Sequence, residues 1–180
     1  MQMNTSDILS MPNNLMAPEG VAAFFAIACV TAGFAALLYT LFRLIKNRDT
    51  IPLMIWLGGL LAFTVEAFGD CVGHIWWPHN LPGPVLWFFD VRLPLFIMIE
   101  YTAFAVVSYG AYRMFKNGIT KKQLWGVWII LMSADILFEM PFTSHAAFVY
   151  YGFTPFQIFG FPAWWGWING TAFILIGFIL

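Results

Sequence analysis

Charge is what this sequence has least of. Only 9% of its 180 residues are Asp, Glu, Lys or Arg, against 61% hydrophobic residues and a mean hydropathy of +0.79. A soluble domain of this length needs more polar surface than that, so an integral membrane protein is expected. Lys and Arg are missing altogether before Arg43 and after Lys122. Residues 1–18 therefore lack the basic start of a signal peptide and read as a short exposed polar tail. The same scarcity of basic residues leaves no surface for a nucleic-acid partner. Cysteine is limited to Cys29 and Cys71, which fall in or near different spans at different depths. A disulfide is not expected, and small buried apolar roles are.

What fills the chain is a series of long apolar stretches. At about 20 residues per crossing, they give one all-α domain, a polytopic bundle of about five transmembrane helices. The expected spans are 20–44, 51–76, 93–114, 123–141 and 162–180. The first is rich in Ala and Gly and suits close helix packing. The second has Pro52 in its first turn behind Asp49 or Thr50 as cap. A turn-rich Pro-Gly loop follows it, and Asp90 and Arg92 mark the surface before the third span. Thr120 and Gln123 form a capping-box pattern for the fourth, which is expected to stop at Pro141. The stretch from Thr143 to Phe161, rich in Phe, Tyr, Gly and Pro, reads as an aromatic loop at the interface. No basic or polar residue follows the last span, so the natural chain is expected to continue past Leu180.

The eight basic residues fix an orientation. Arg43, Lys46 and Arg48 follow the first span, and Arg113, Lys116, Lys121 and Lys122 lie between the third and fourth. Arg92 alone falls on the other side, so the amino terminus is expected outside the cytoplasm, in a bacterial plasma membrane. The pairs Trp76–Trp77 and Trp164–Trp165 then fall at the outer interface, as an aromatic belt.

Against this apolar background two acidic stretches stand out. V-E-A-F-G-D-C-V-G-H-I-W-W-P carries Glu66, Asp70 and His74 at four-residue intervals, on one helical face. S-A-D-I-L-F-E-M-P-F repeats the device with Asp135 and Glu139, and Glu100 lies inside the third span. At about 1.5 Å per residue these five carboxyls come out about 18–28 Å from the cytoplasmic ends, all in the outer half of the bilayer. An ionised Asp at the centre of a span costs about 2.5–3.5 kcal/mol on insertion scales, so five facing lipid is untenable. They must face inward, where His74, His145 and Arg92 are the available cations. Some are therefore expected to be neutral, to bind a metal or to line a hydrated cavity. His79 reads as an ordinary loop residue.

Several functions fit such a cluster. Paired carboxyls in aromatic surroundings suit acid-base cyclisation or dehydration of a lipophilic substrate. E-x-x-x-D and D-x-x-x-E also suit magnesium holding a prenyl diphosphate, but basic residues to clamp phosphate are lacking on that side. Iron chemistry of the membrane desaturase kind wants more than three histidines. The bland alternative is interhelical hydrogen bonding in a non-catalytic membrane subunit or lipid-binding protein. Tyr150, Trp164 and Trp165 are candidates to line a substrate pocket.

D-I-L-F-E-M-P-F, the later Y-Y-G-F-T-P-F-Q-I-F-G-F-P-A-W-W-G-W-I-N and the earlier E-A-F-G-D-C-V-G-H-I-W-W-P together resemble the pattern of AveC-like spirocyclase family membrane proteins. The likeness covers roughly residues 60 to 172. It implies a multispan protein whose namesake closes a spiroketal in polyketide biosynthesis and can dehydrate the product. It also draws in Asn169, which closes the G-x-P-x-W-W-x-x-x-N pattern. The expected catalytic residues are Glu139 with Asp135 and Glu66 with Asp70. Glu100, His74, Tyr150, Trp164, Trp165 and Asn169 are expected to bind a lipophilic polyketide- or terpenoid-like substrate. No metal or cofactor is expected. The partners are the substrate and the lipid bilayer, with a homo-oligomer or membrane complex compatible.

Overall fold

The structure is a computed structural model that describes residues 11–88 and 90–180. The first ten residues of the expected tail lie outside the described residues. The chain is mostly helical. Its order is α1 (Glu19–Asn47), α2 (Ile51–Leu61), α3 (Phe63–Gly73), β1 (Ile75–Trp76), β2 (Val85–Phe88), β3 (Val91–Pro94), α4 (Phe96–Lys116), α5 (Lys121–Ser144), β4 (Val149–Tyr150), β5 (Gln157–Ile158), β6 (Phe161–Pro162) and α6 (Ala163–Ile179). The strands form three antiparallel ribbons, β1 with β4, β2 with β3 and β5 with β6.

Helix α4 is the axis, packed against α1, α2 and α6, while α5 packs on α6. Small residues make this possible. Ala22, Ala26, Cys29, Gly33, Ala36 and Thr40 form a buried seam along α1, alternating four- and three-residue steps as a close helix contact requires. A Cβ at Gly33 would stand 2.3 Å from the backbone oxygen of Ile99 in α4, so only glycine lets the two backbones approach this closely. Gly177 does the same for α6, where a Cβ would lie 2.6 Å from Ala111 Cβ. The outer surface is apolar, with Ile45, Leu38, Leu137 and Phe178 all exposed.

Among the described residues two helices, α1 and α5, are long and apolar enough to cross a membrane. A third crossing is formed if α2 and α3 are one bent span, and α6 is apolar but shorter. Helix α4 carries Glu100, Arg113 and Lys116.

Several expected boundaries are corrected. The second span does not run straight to Trp76. It breaks at Ala62, bending by 54°, where the Ala62 N–H reaches back to Gly59 O in a tightened turn. The Gly58–Gly59 pair supplies the weakness, since such pairs are a common cause of kinks. Helix α3 then ends at Gly73, because His74 takes a left-handed conformation (φ 57°), and Ile75–Trp76 turns into β1. Leu93 and Pro94 likewise belong to β3 rather than to the third span. The Thr120–Gln123 capping box is present in both directions. Pro141, by contrast, lies inside α5 rather than ending it. So near the carboxyl end a proline costs one backbone hydrogen bond, and Ser144 Oγ donates to Pro141 O (2.9 Å) in the final turn.

The aromatic segment after α5 is organised rather than loose. Tyr151 N–H donates to His74 O at 2.8 Å, extending the β1–β4 pairing that carries Tyr150 over the end of α3. Beneath it Phe25 meets Phe142 at 4.7 Å and Phe96 at 5.5 Å, and Trp77 meets Phe148 at 5.1 Å. Trp76 and Trp77 are therefore buried, 3% and 4% exposed, and are not part of an interfacial belt. Trp164 and Trp165 are half-buried and stacked at 4.9 Å.

Candidate functional site: a carboxyl cluster among neutral donors

The start of α3, the last turns of α5, the first turns of α4 and α6 and the first half of α1 contribute to one cavity of the bundle. Glu66 on α3, Glu100 on α4 and Glu139 on α5 line this cavity, together with Tyr101, Tyr150, Asn169 and Trp165. The cavity offers about 60 Å³ to the centres of water-sized molecules, within about 530 Å³ of atom-free space counted out to its mouth. That interior holds a few waters or one small functional group.

Each carboxyl is held by a neutral donor. Tyr101 donates its hydroxyl to Glu66 Oε2, and Tyr150 donates to Glu139 Oε2 at 3.1 Å. One helical turn away from each glutamate sits an aspartate that does not line the cavity. Asp70, fully buried, accepts from Trp77 Nε1 at 2.8 Å. Asp135 accepts from Asn169 Nδ2 on both oxygens, at 3.1 and 3.2 Å. The two expected pairs thus have the same layout: a glutamate facing the cavity with a tyrosine on it, backed by an aspartate held by an N–H group. Cys29 Sγ donates to Glu100 Oε2 at 3.1 Å, so Cys29 is not merely an apolar filler. Neither cysteine is in a disulfide.

Asp70 Oδ1 is buried without a donor. Its neighbour on the same helical face, one turn earlier, is Glu66.

The cations foreseen as partners are elsewhere. Arg92 is buried, not at the surface as expected, because Nη1 donates to Pro78 O at 2.6 Å and Nη2 to His79 O at 3.0 Å. Burial pulls its guanidinium below its ordinary value. His74 lies off the helical face of Glu66 and Asp70, since its left-handed backbone swings the ring onto Tyr151, 5.1 Å away. His145 is exposed beside Ser144 Oγ and Pro141 O. The only ion pair among the described residues is Arg43–Asp49, at the far end of the bundle. Trp164 does not line the cavity but braces Trp165, whose Nε1 is buried without a partner. A Cβ at Gly73 would lie 2.2 Å from Trp165 Cζ2, so the end of α3 is pressed against that ring.

Tyr101, Trp77 and Cys29 are the site residues that sequence reasoning missed. The one available signal for the first two was chemical, since a Tyr hydroxyl or Trp N–H in an apolar span needs a partner. Among the described residues, no group of three or more His, Cys, Asp and Glu side chains converges as a metal site would require. In comparisons with known proteins, no family model, no curated protein and no solved structure matches this chain, and its chemistry rests on its own residues.

Proposed function

We propose that the chain is a membrane bundle of about five crossings, with its amino terminus outside the cytoplasm of a bacterial cell, that works as an intramembrane acid-base enzyme. In this reading, which keeps the likeness to AveC-like spirocyclases as a guide, it cyclises or dehydrates a lipophilic polyketide- or terpenoid-like substrate. The observation that carries the reading is the pairing Tyr101–Glu66 and Tyr150–Glu139 in one cavity that also holds Glu100 and no Lys or Arg. Such a site can hold one carboxyl as acid and another as base, which is the arrangement acid-base catalysis needs.

The size of the cavity sets how the reaction would run. Only the reacting hydroxyl and its neighbours fit inside, and the apolar remainder would lie against Phe104, Phe138 and Trp165, which line the same cavity. Glu139, as acid, protonates the substrate hydroxyl, the carbon–oxygen bond breaks and water leaves. In a dehydration, Glu66, as base, takes a proton from the adjacent carbon and the electrons of that bond form the alkene. In a ketal closure, a second hydroxyl attacks the cationic carbon and Glu66 takes the proton it sheds. Asp70 and Asp135 are positioning residues that share or tune those protons. The lack of basic residues at the cavity weighs against the prenyl-diphosphate alternative.

The rival reading is a non-catalytic subunit or lipid-binding protein. It is favoured by the fact that Glu66, Glu100 and Glu139 each already accept a protein donor. Mass spectrometry of apolar extracts from a source strain lacking the gene, rescued by wild type or Glu139→Gln, separates the two. A precursor that disappears only with wild type supports the enzyme, identical mass marking an isomerising cyclisation and one extra water marking an alkene-forming dehydration or a ketal closure that expels water. Unchanged metabolites together with a large loss of thermal stability in Glu139→Gln would establish the structural role instead.

A further inference from the structure

The end of the bundle opposite the carboxyls has its own cavity. It lies between the last turns of α1 and α4 and the start of α2, about 320 Å³, lined by Arg43, Asp49, Tyr109, Tyr112, Arg113 and Lys116 among others. Three cations face one carboxylate there. Arg43 is engaged, donating from Nη2 to Asp49 Oδ2 at 3.0 Å and to Tyr109 at 2.8 Å, but its Nε is buried without a partner. Arg113 and Lys116 form no ion pair among the described residues, and Lys116 reaches only the Tyr112 hydroxyl, at 3.4 Å. The carbonyl ends of α1 and α4 would repel an anion, so any anion here must be held by these side chains.

Ile51 lines this cavity and also begins a second, apolar one. The second is a groove of about 440 Å³ beside α2, walled by Met54, Ile55, Gly58, Ala105 and Ile176. From Ile51 to Ala62 it follows about 16 Å of helix at 1.5 Å per residue. A polar, cation-rich pocket that shares the Ile51 wall with a long apolar groove has the chemistry of one amphiphile.

We infer that this end of the protein binds an anionic phospholipid, its phosphate between Arg113, Lys116 and Arg43 and one acyl chain in the groove along α2. Guanidinium and ammonium groups at the edge of a membrane helix bundle are suited to phosphate, and the groove is what distinguishes a lipid from a free anion. The inference depends on the membrane placement proposed above but not on the acid-base chemistry. About 20 Å of α4 separates Glu100 from Arg113 at 1.5 Å per residue.

The test uses the full chain purified in a neutral detergent and stripped of lipid, with membrane fractionation confirming that each variant inserts. Phosphatidylglycerol, phosphatidylcholine of the same chains, short-chain phosphatidylglycerol and inorganic phosphate are compared by native mass spectrometry and thermal unfolding. Phosphatidylglycerol is expected to bind one per chain and raise the melting temperature, with phosphatidylcholine and phosphate having little effect. Arg113→Gln with Lys116→Gln should weaken it at least tenfold. Gly58→Leu should weaken the long-chain lipid severalfold while sparing the short-chain one, because Gly58 lines the groove and a Cβ there meets nothing within 4 Å. Equal binding of both lipid classes, an equal response to inorganic phosphate, or a groove occupied by a second copy of the chain would each overturn the inference.

Discussion

Among single residues, the two layers of each acidic pair predict different losses. Glu139→Gln keeps the shape and the Tyr150 contact but can neither give nor take a proton, so product formation in membranes should fall by about 10²–10⁴-fold. Tyr150→Phe removes one hydrogen bond to a carboxyl that is neutral while it serves as the acid, worth about 1 kcal/mol, and should cost about fivefold. Equal losses would make Tyr150 a proton donor in its own right. Asp49, between α1 and α2, gives a separate pH prediction. Burial works to raise its carboxyl, but the Tyr109 hydroxyl, Arg43 and the Ile51 N–H hold it below its ordinary value. A group lowered on folding contributes stability above the unfolded carboxyl range and loses it as pH falls through the folded value. Asp49→Asn should therefore lower stability by about 1 kcal/mol at neutral pH and flatten the acid limb of the melting temperature against pH, where an unchanged limb would assign that limb to other groups. The carboxyls themselves were legible in the sequence, because a charge inside an apolar run stands out by its cost. Their partners were not. Tyr101 is 35 positions from Glu66 and Cys29 is 71 from Glu100, and contacts of that range depend on which helix faces which.

For whole elements, glycine decides where helices touch and where they do not. A Cβ at Gly177 would meet the Ala111 methyl and, at 2.7 Å, the backbone oxygen of Ser108. Backbone cannot move aside cheaply, so Gly177→Ala should part α6 from α4 at a cost of about 1–3 kcal/mol. Gly126 in α5 meets nothing within 4 Å, and Gly126→Ala should be neutral or gain up to about 1 kcal/mol from helix propensity. Thermal unfolding in detergent checks both, and a matching response would mean that the α4–α6 contact is not a tight one. The same scale explains which boundaries the sequence hid. Gly58–Gly59 was the only mark of the break at Ala62, in a stretch that stays apolar on both sides. Pro141 was misread as a stop because its position, one turn from the end of α5, is what makes it tolerable. The β1–β4 pairing joins two residues to two others across more than seventy positions, with no local pattern to announce it.

Over the whole molecule, α4 is the long helix whose crossing needs a physical argument, since Glu100, Arg113 and Lys116 interrupt its apolar run. Its surroundings answer the objection physically. It is enclosed by α1, α2 and α6, so it need not be apolar on every side. Glu100 opens into the cavity, and Arg113 and Lys116 come at its last turn. If α1, the bent α2–α3 pair, α4, α5 and α6 all cross, the carboxyl cluster lies at one face of the membrane. Arg43, Lys46, Arg48, Arg113, Lys116, Lys121 and Lys122 then gather at the other, as the positive-inside rule asks. The consequence is that His79 and Lys122, both exposed, stand on opposite sides. His79→Cys should react with a membrane-impermeant maleimide in intact cells, and Lys122→Cys only after permeabilisation. Labelling of both from one side would remove α4 from the membrane and reduce the number of crossings. The inverse pattern would turn the bundle over, and the carboxyl cavity would then draw its substrate from the cytoplasmic leaflet.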